Sequence, residues 1–135
     1  CIVTLSDAAV KPATPDELAG LKVGYQEETT SDMYITDYAL NNGFEIDPYE
    51  YAKVIDVFSD LENGRLDAVI CDSTVASIYL GEGSGFEQTW IQEDSPEEFG
   101  ICIKKGNDEL VEKIDAALSQ LQEDGTVDSI LAKYF

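Results

Sequence analysis

The feature that most constrains this sequence is an apolar run that ends on a carboxylate. Residues 66–71 are apolar except for Asp67 and partly β-branched, they follow an Asn63-Gly64 stop signal, and Asp72 comes directly after them. Such a run is typical of a strand buried on both faces of an α/β sheet. A helical pattern begins after Asp72, so we expect this carboxylate at the edge where open α/β sheets bind their ligands.

Composition excludes several classes of partner. With 135 residues, of which 44% are hydrophobic, the chain can bury one ordinary core, so we expect a single compact domain. Its 28 acidic and 8 basic residues give a formal net charge of −20, which repels phosphate backbones and anionic lipid headgroups. Nucleic acid is therefore not an expected partner. No apolar run approaches the roughly 20 residues that a membrane-spanning helix needs.

The residues that usually carry chemistry are scarce. The sequence has no histidine, and its three cysteines form no C-x-x-C pair, which argues against zinc sites and against Ser-His or Cys-His catalysis. We therefore predict no cofactor, no metal site and no enzymatic activity. Cys71 is expected to be a small apolar core residue. Cys1 could be the first residue of a mature lipoprotein, but residues 2–5 predict a strand rather than a flexible tether.

Strand and helix signals alternate along the chain. Thr14, Pro15 and Glu17 form a capping-box pattern, which predicts a short helix that ends at Gly20. The glycine-rich residues 81–85 predict a turn, because their spacing fits neither a dinucleotide fingerprint nor a nucleophile elbow. The predicted strands cover residues 1–5, 21–25, 49–52, 66–71, 89–92 and 99–104, and the predicted longer helices cover 31–42, 54–64, 73–80, 107–124 and 126–135.

The two C-terminal helices carry apolar stripes at helical spacing. Leu118 and Leu121 lie on the stripe of the first helix, and Ile130 and Phe135 lie on that of the second. Because such stripes ordinarily face a core, we expect these residues to be buried.

Several segments together resemble one protein family. Residues 18–26, 29–31 and 61–72 resemble the polar amino acid branch of the bacterial extracellular solute-binding proteins, family 3. Residues 99–106, 121–125 and 133–135 are similar to the end of that family's sequences. The resembling segments together span nearly the whole chain, and they occur in the same order as in the family. It implies a three-layer α/β/α lobe of the type II periplasmic-binding-protein kind, with a mixed sheet and with the N-terminal lobe largely absent.

The resemblance also implies how the chain is divided. Residues 1–5 and 99–106 would be the two hinge strands that join the lobes, residues 6–98 the second ligand-binding lobe, and residues 107–135 the helices that return to the first lobe. The chain would then be a fragment or an isolated lobe, which we expect to bind amino acids weakly. Without the first lobe, the apolar faces around Leu118, Leu121, Ile130 and Phe135 would lack their normal cover, so we expect them to fold back on this lobe or to pair with another copy of the chain. If the hinge strands lie side by side, Cys1 and Cys102 could form a disulfide.

The binding residues follow from the same resemblance. Asp72 would receive the α-ammonium group of the ligand, and Thr29, Thr30 and Ser31 would receive its carboxylate at a helix N-terminus. Gln26 would face the ligand. The alternative for Asp72 and for the threonine loop is plain helix capping, and Gln26 could equally be an edge residue.

Two acidic positions qualify this assignment. Glu28 stands where the family commonly has glycine, so the loop would be less open or would carry a carboxylate towards the cleft. Asp67 is expected to pair with Arg65 or with a nearby backbone group rather than with ligand. Glu27 and Glu28 near the cleft favour a cationic or neutral amino acid over an anionic one.

The resemblance implies a function in uptake. The chain would bind a polar amino acid for an ABC transporter, with a membrane permease as partner, and would work outside the cell as a cell-surface lipoprotein or in the periplasm. A first alternative is the extracellular amino-acid-sensing domain of a membrane signalling receptor. A dehydratase on the same fold is disfavoured because catalytic groups are few.

Overall fold

The computed structural model describes residues 1–94 and 98–134. The chain divides into two units, Cys1–Asp94 and Ser95–Phe135, so the expectation of a single compact domain is wrong. Within the described residues, no helix combines the length and the apolar character that crossing a bilayer requires.

The first unit is built on a mixed sheet of five strands. These are β1 (Ile2–Leu5), β2 (Lys22–Gln26), β3 (Asp47–Tyr51), β4 (Ala68–Ile70) and β5 (Phe86–Trp90). They are arranged in the order β3-β2-β4-β1-β5. Strand β2 is parallel to β3 and β4, whereas β1 is antiparallel to β4 and β5. The mixed sheet that the resemblance implies is confirmed.

Helices cover both faces of this sheet. They are a short 3-10 helix (Pro15–Leu18), α1 (Thr30–Asn42), α2 (Val54–Glu62) and α3 (Ser73–Ala76). One buried cluster joins α2 and α3 to the sheet, and a second joins the 3-10 helix and α1 to it. The three-layer α/β/α arrangement is therefore confirmed.

Successive residues of β4 face opposite layers. Val69 lies in the same buried cluster as Phe58 of α2 and Ala76 of α3, whereas Ile70 shares a cluster with Ile35 of α1. All three residues of β4 are buried. The prediction of a strand covered on both faces is confirmed, and the apolar run needs no polar alternation because neither face meets water.

Gly24 allows α2 to approach the sheet closely. A Cβ atom at this position would overlap Cδ1 of Leu66 and lie 2.8 Å from Cγ1 of Val57. Gly24 is buried in the middle of β2, so any larger side chain must displace its neighbours.

A small polar network fastens β3 to α2. The Tyr51 hydroxyl donates a 2.8 Å hydrogen bond to Asp60, whose other carboxylate oxygen accepts one of 2.8 Å from Arg65. These two donors hold the pKa of Asp60 below its ordinary value. Burial and the bond to Asp60 raise the pKa of Tyr51 to about 12. Asp67 does not pair with Arg65, but its carboxylate accepts a 2.8 Å hydrogen bond from the backbone N–H of Lys22, which confirms the backbone alternative.

Several predicted boundaries in the first unit differ from the structure. The capping-box segment forms only a four-residue 3-10 helix, in which Thr14 makes no side-chain cap and Glu17 accepts instead from the backbone N–H of Ala13. Strand β5 begins earlier than residue 89, because its start pairs with the end of β1 through Leu5 and Phe86. Helix α3 is shorter than the predicted 73–80.

In the second unit, α4 (Asp108–Glu123) and α5 (Thr126–Tyr134) confirm the two predicted helices. Residues 98–104 form no strand, so the predicted strand over 99–104 is wrong. The expected partner, β1, pairs with β4 on one edge and with β5 on the other. Cys102 is exposed, and a bond between it and Cys1 of the first unit stays a prediction.

The burial of the C-terminal stripes that helical periodicity predicts is wrong, and the described stripe residues are instead exposed, as expected of a chain without the first lobe. Among the described residues of α4 and α5, none is buried. Leu118 and Leu121 are each 38% exposed and Ile130 is 52% exposed, while Phe135 lies outside the described residues. Two helices provide too few apolar partners to cover these side chains on every side.

Candidate ligand-binding site

The carboxyl ends of β2 and β4 lie next to each other at one edge of the sheet. The two strands are adjacent and parallel, with Gly24 opposite Val69. The segment after β2 leads to α1 on one face, whereas the segment after β4 leads to α3 on the other. Connections that leave neighbouring strands towards opposite faces open a crevice between them, and open α/β sheets bind ligands there.

Asp72 occupies the β4 side of this crevice. It is half-buried and has an extended backbone conformation at the N-cap position of α3. Its backbone carbonyl accepts a 2.9 Å hydrogen bond from the N–H of Ala76, but its carboxylate makes no capping bond to α3. Side-chain capping is therefore not the role of this residue in the structure.

The N-terminus of α1 occupies the β2 side. Thr29 is the N-cap: its hydroxyl oxygen accepts a 3.3 Å hydrogen bond from the backbone N–H of Asp32 and donates one of 2.8 Å to the carbonyl of Gln26. The capping alternative is thus confirmed for the Thr29 hydroxyl. Because its proton is directed at Gln26, this hydroxyl serves the turn rather than an incoming anion.

Thr30 and Ser31 are the first two residues of α1. Thr30 is exposed and Ser31 is half-buried. The N–H of Met33 bonds to the carbonyl of Thr29, so the N–H groups of Thr30 and Ser31 precede the first intrahelical hydrogen bond. Together with the positive end of the dipole of a 13-residue helix, such groups favour an anion.

Gln26 ties the crevice to β3. It is the last residue of β2, is half-buried, and donates a 3.2 Å hydrogen bond from its side-chain amide to the carbonyl of Ala52. This bond fits the edge-residue alternative. The register between Gly24 and Val69, extended by two residues, sets Gln26 level with Cys71, one residue before Asp72.

The loop before α1 contains a residue with an unusual backbone conformation. Glu28 has φ of 59°, in the left-handed region that glycine adopts most readily. Its backbone N–H donates a 3.0 Å hydrogen bond to Asp32, which also accepts one of 3.3 Å from the Thr36 hydroxyl. The loop therefore retains the conformation expected of the family's glycine. Asp32 was missed by sequence reasoning, although an aspartate three residues after the Thr29 N-cap fits a capping-box pattern.

Carboxylates dominate the charge around this edge. Tyr25 is buried one residue before the end of β2, and its hydroxyl lies 3.5 Å from Glu50. Burial raises the pKa of Tyr25, a hydrogen bond with Thr36 lowers it, and the charges of Asp32 and Glu50 raise it further. The described part of the chain contains no cluster of histidine, cysteine or acidic side chains arranged to hold a metal ion. The arrangement is suited to holding a charged organic ligand by hydrogen bonds.

The match to known proteins agrees with this geometry. Residues 15–135 match the bacterial extracellular solute-binding proteins, family 3. The chain belongs to this family. Its α/β fold is that of a type II periplasmic-binding-protein lobe, as the resemblance implied.

Individual relatives are amino-acid-binding proteins by name. The chain is 32% identical to a putative ABC transporter arginine-binding protein 2 of Escherichia coli K12, covering 93% of this chain and 51% of that protein. It is 31% identical to a probable histidine-binding protein of Neisseria gonorrhoeae, covering 98% of this chain and 50% of that protein. The chain thus spans about half the length of the curated relatives it matches.

A solved structure shows the same fold. The chain superposes on an ancestral arginine-binding protein bound to arginine with a TM-score of 0.83 and 33% identity, over 99% of this chain and 58% of that one.

Proposed function

We propose that this chain forms one side of a binding site for a polar amino acid and serves an ABC uptake transporter. The observation that carries the proposal is that Asp72 and the N-terminus of α1 follow the carboxyl ends of two adjacent parallel strands. A carboxylate on one side and backbone N–H groups on the other match the two charges of an amino acid. The proposed role is binding without catalysis.

Each half of the zwitterion has a defined partner in this proposal. The Asp72 carboxylate accepts charge-assisted hydrogen bonds from the α-ammonium group. The N–H groups of Thr30 and Ser31 donate to the α-carboxylate, and the helix dipole adds to their attraction. Thr29 acts by holding the turn through its cap, and Gln26 by fixing the end of β2 to Ala52.

The acidic edge favours a cationic side chain. Asp32 and Glu50 lie beside Tyr25, and Glu27 and Glu28 are exposed in the loop before α1. Carboxylates around a site attract cations and repel anions. Relatives named as arginine-binding and histidine-binding proteins support the same ligand class.

The names of the relatives also favour transport over sensing. One of them is named as an ABC transporter protein, which supports a membrane permease as the partner of this protein. The family consists of extracellular proteins, so the proposed place of action is the periplasm or, as a lipoprotein, the cell surface.

The proposal is tested by titrating the ¹⁵N-labelled chain with arginine, glutamine and glutamate while its amide NMR signals are recorded. We expect arginine to shift the signals of Thr30, Ser31 and Asp72 in a saturable way. Because Thr30 is exposed and Asp72 only half-buried, we expect a Kd of about 1 mM or weaker, since solvent-facing ion pairs contribute only about 0–1 kcal/mol each.

A matched pair of variants distinguishes specific binding at Asp72 from a general effect of the chain's negative charge. Asp72 and Asp67 stand at opposite ends of β4 and both become neutral as asparagine. We expect Asp72→Asn to weaken arginine binding several-fold and Asp67→Asn to leave it unchanged. Equal losses in the two variants, or stronger binding of glutamate than of arginine, would contradict the proposal.

A further inference from the structure

Cys1 and Cys71 lie directly opposite each other, one residue before the start of β1 and one residue after the end of β4. The register that pairs Ile2 with Ile70 and Val3 with Val69 places Cys1 against Cys71 one residue further on. The backbone nitrogen of Cys1 donates a 2.7 Å hydrogen bond to the carbonyl of Cys71, and the N–H of Cys71 donates one of 3.2 Å in return. Residues that exchange both bonds have Cα atoms about 5.5 Å apart, within the roughly 4.4–6.8 Å that a disulfide spans.

The two side chains also share one face of the sheet. Directly opposite residues of an antiparallel pair project to the same side. Cys71 belongs to the buried cluster that contains Val3 and Val69, and Cys1 packs against this same cluster. The flanking residues Ile2 and Ile70 belong to the cluster on the other face. Both the spacing and the direction that a cross-strand disulfide needs are therefore present.

We propose that Cys1 and Cys71 are a disulfide-forming site that joins β1 covalently to β4 one residue before Asp72. The oxidant we specify is a low-molecular-weight disulfide such as oxidised glutathione. The Cys1 thiolate attacks one of its sulfurs and expels a glutathione thiolate, which leaves a mixed disulfide on Cys1. The Cys71 thiolate then attacks the Cys1 sulfur and expels the second glutathione. The two protons lost by the cysteines end on the two glutathione thiols.

The order of these steps follows from exposure. Cys1 is half-buried and Cys71 is buried, so the oxidant reaches Cys1 first. Burial raises the pKa of the Cys71 thiol to about 11, which makes the second step faster at higher pH. The family's members are extracellular proteins, and disulfides persist outside the cytoplasm.

The test uses the chain with Cys102→Ser, which removes the exposed third thiol. The reduced protein is incubated with oxidised glutathione at pH 8 and analysed by intact mass, by alkylation and by peptide mapping without reduction. We expect the loss of two hydrogens, no remaining alkylatable thiol, and a tryptic product that joins residues 1–22 to residues 66–104. The thermal unfolding midpoint should rise by roughly 10 °C, because the bond links residues 70 positions apart, and dithiothreitol should reverse the rise.

Two further variants keep the test decisive. Cys71→Ala and Cys1→Ala, each combined with Cys102→Ser, should abolish both the crosslink and the rise in midpoint, with circular dichroism showing that the fold is retained. The oxidation is then repeated with the unmodified sequence. Proteolytic cleavage after Glu87 separates Cys71 from Cys102 there, and the crosslink should still join residues 1 and 71. A stable glutathione adduct on Cys1, a bond to Cys102, or a crosslink that forms only in urea would overturn the proposal.

Discussion

The backbone N–H of Glu28 donates a 3.0 Å hydrogen bond to the carboxylate of Asp32, although φ of Glu28 is 59°. The bond closes the loop between β2 and α1, and it requires a backbone conformation that costs a residue with a Cβ atom roughly 1–2 kcal/mol. The side chains of Thr29 and Asp32 each accept a hydrogen bond from a backbone N–H in the turn before α1. These bonds hold the turn although the backbone of Glu28 is strained.

This strain predicts opposite effects for two substitutions at one position. Glu28→Gly should leave the free energy of unfolding unchanged or raise it slightly, because glycine adopts φ of 59° without steric cost. Glu28→Val should lower it by about 1–2 kcal/mol relative to Glu28→Gly, because a β-branched residue fits that region poorly. Urea unfolding measures both, and Glu27→Val is the control. Equal stability of the glycine and valine variants would show that the loop relaxes.

The hydrogen bond from Tyr51 to Asp60 predicts a pH-dependent contribution to stability. The folded-state pKa of Asp60 is below its ordinary value of 3.8. The contribution is therefore complete above about pH 4 and is lost as the pH falls through the folded-state pKa. Tyr51→Phe should lower stability at pH 7, should have little effect once Asp60 is protonated, and should move the pKa of Asp60 upwards.

Carboxyl NMR titration and urea unfolding between pH 7 and pH 2 measure these effects. Tyr49→Phe on the same strand is the matched control, because Tyr49 is a partly exposed tyrosine of β3. A destabilisation by Tyr51→Phe that is the same at pH 2 and pH 7 would show that lost packing, and not the bond to Asp60, is responsible.

The close approach of Leu66 and Val57 to Gly24 predicts an overpacking effect. Gly24→Ala should lower the free energy of unfolding by about 1–3 kcal/mol, because the added methyl group meets both side chains in a buried layer. Gly81→Ala is the control, since nothing lies within 4 Å of a Cβ there and its φ is not left-handed. Denaturant unfolding compares the two. The double variant Gly24→Ala/Val57→Ala should lose less free energy of unfolding than the two single variants lose in sum, because the two sites are coupled.

The exposed stripes of α4 and α5 predict self-association of this chain. Leu118, Leu121, Ile130 and Leu131 are all between 38% and 52% exposed, and apolar patches of this kind favour pairing between copies. Sedimentation velocity from about 10 to 200 µM should show a mass that rises with concentration. Leu118→Glu should reduce the association, whereas Leu40→Glu on α1, where Leu40 is 77% exposed, should leave it unchanged. A monomer at every concentration would contradict this prediction.

Local patterns were sufficient for most elements of the first unit. The apolar run before Asp72 predicts that both faces of β4 are covered, because that information lies in neighbouring side chains. Residues 2–5 likewise predict a strand from their own side chains. The same holds for α1, whose end at Asn42 follows from Gly43 in the left-handed conformation. The position of Asp72 at a strand-to-helix junction was also readable, since strand, carboxylate and helix are contiguous.

Pairings between distant residues were not readable in this way. The start of β5 depends on Leu5, about 80 residues earlier, and both edges of β1 are paired within the first unit. The sequence likewise left open whether the Thr29 hydroxyl binds ligand or caps α1, and its hydrogen bonds to Gln26 and Asp32 show that it caps the helix.

The sequence by itself therefore determined most strands and helices of the first unit, the two C-terminal helices, the burial of β4 on both faces, and which carboxylate stands at the sheet edge. Only the tertiary structure decided that Cys1 stands opposite Cys71, that the ends of β2 and β4 meet, and that residues 98–104 form no strand. The physical reason is that a side-chain pattern encodes how a segment prefers to be buried, whereas its partner is chosen by hydrogen bonds and contacts between residues far apart in the chain.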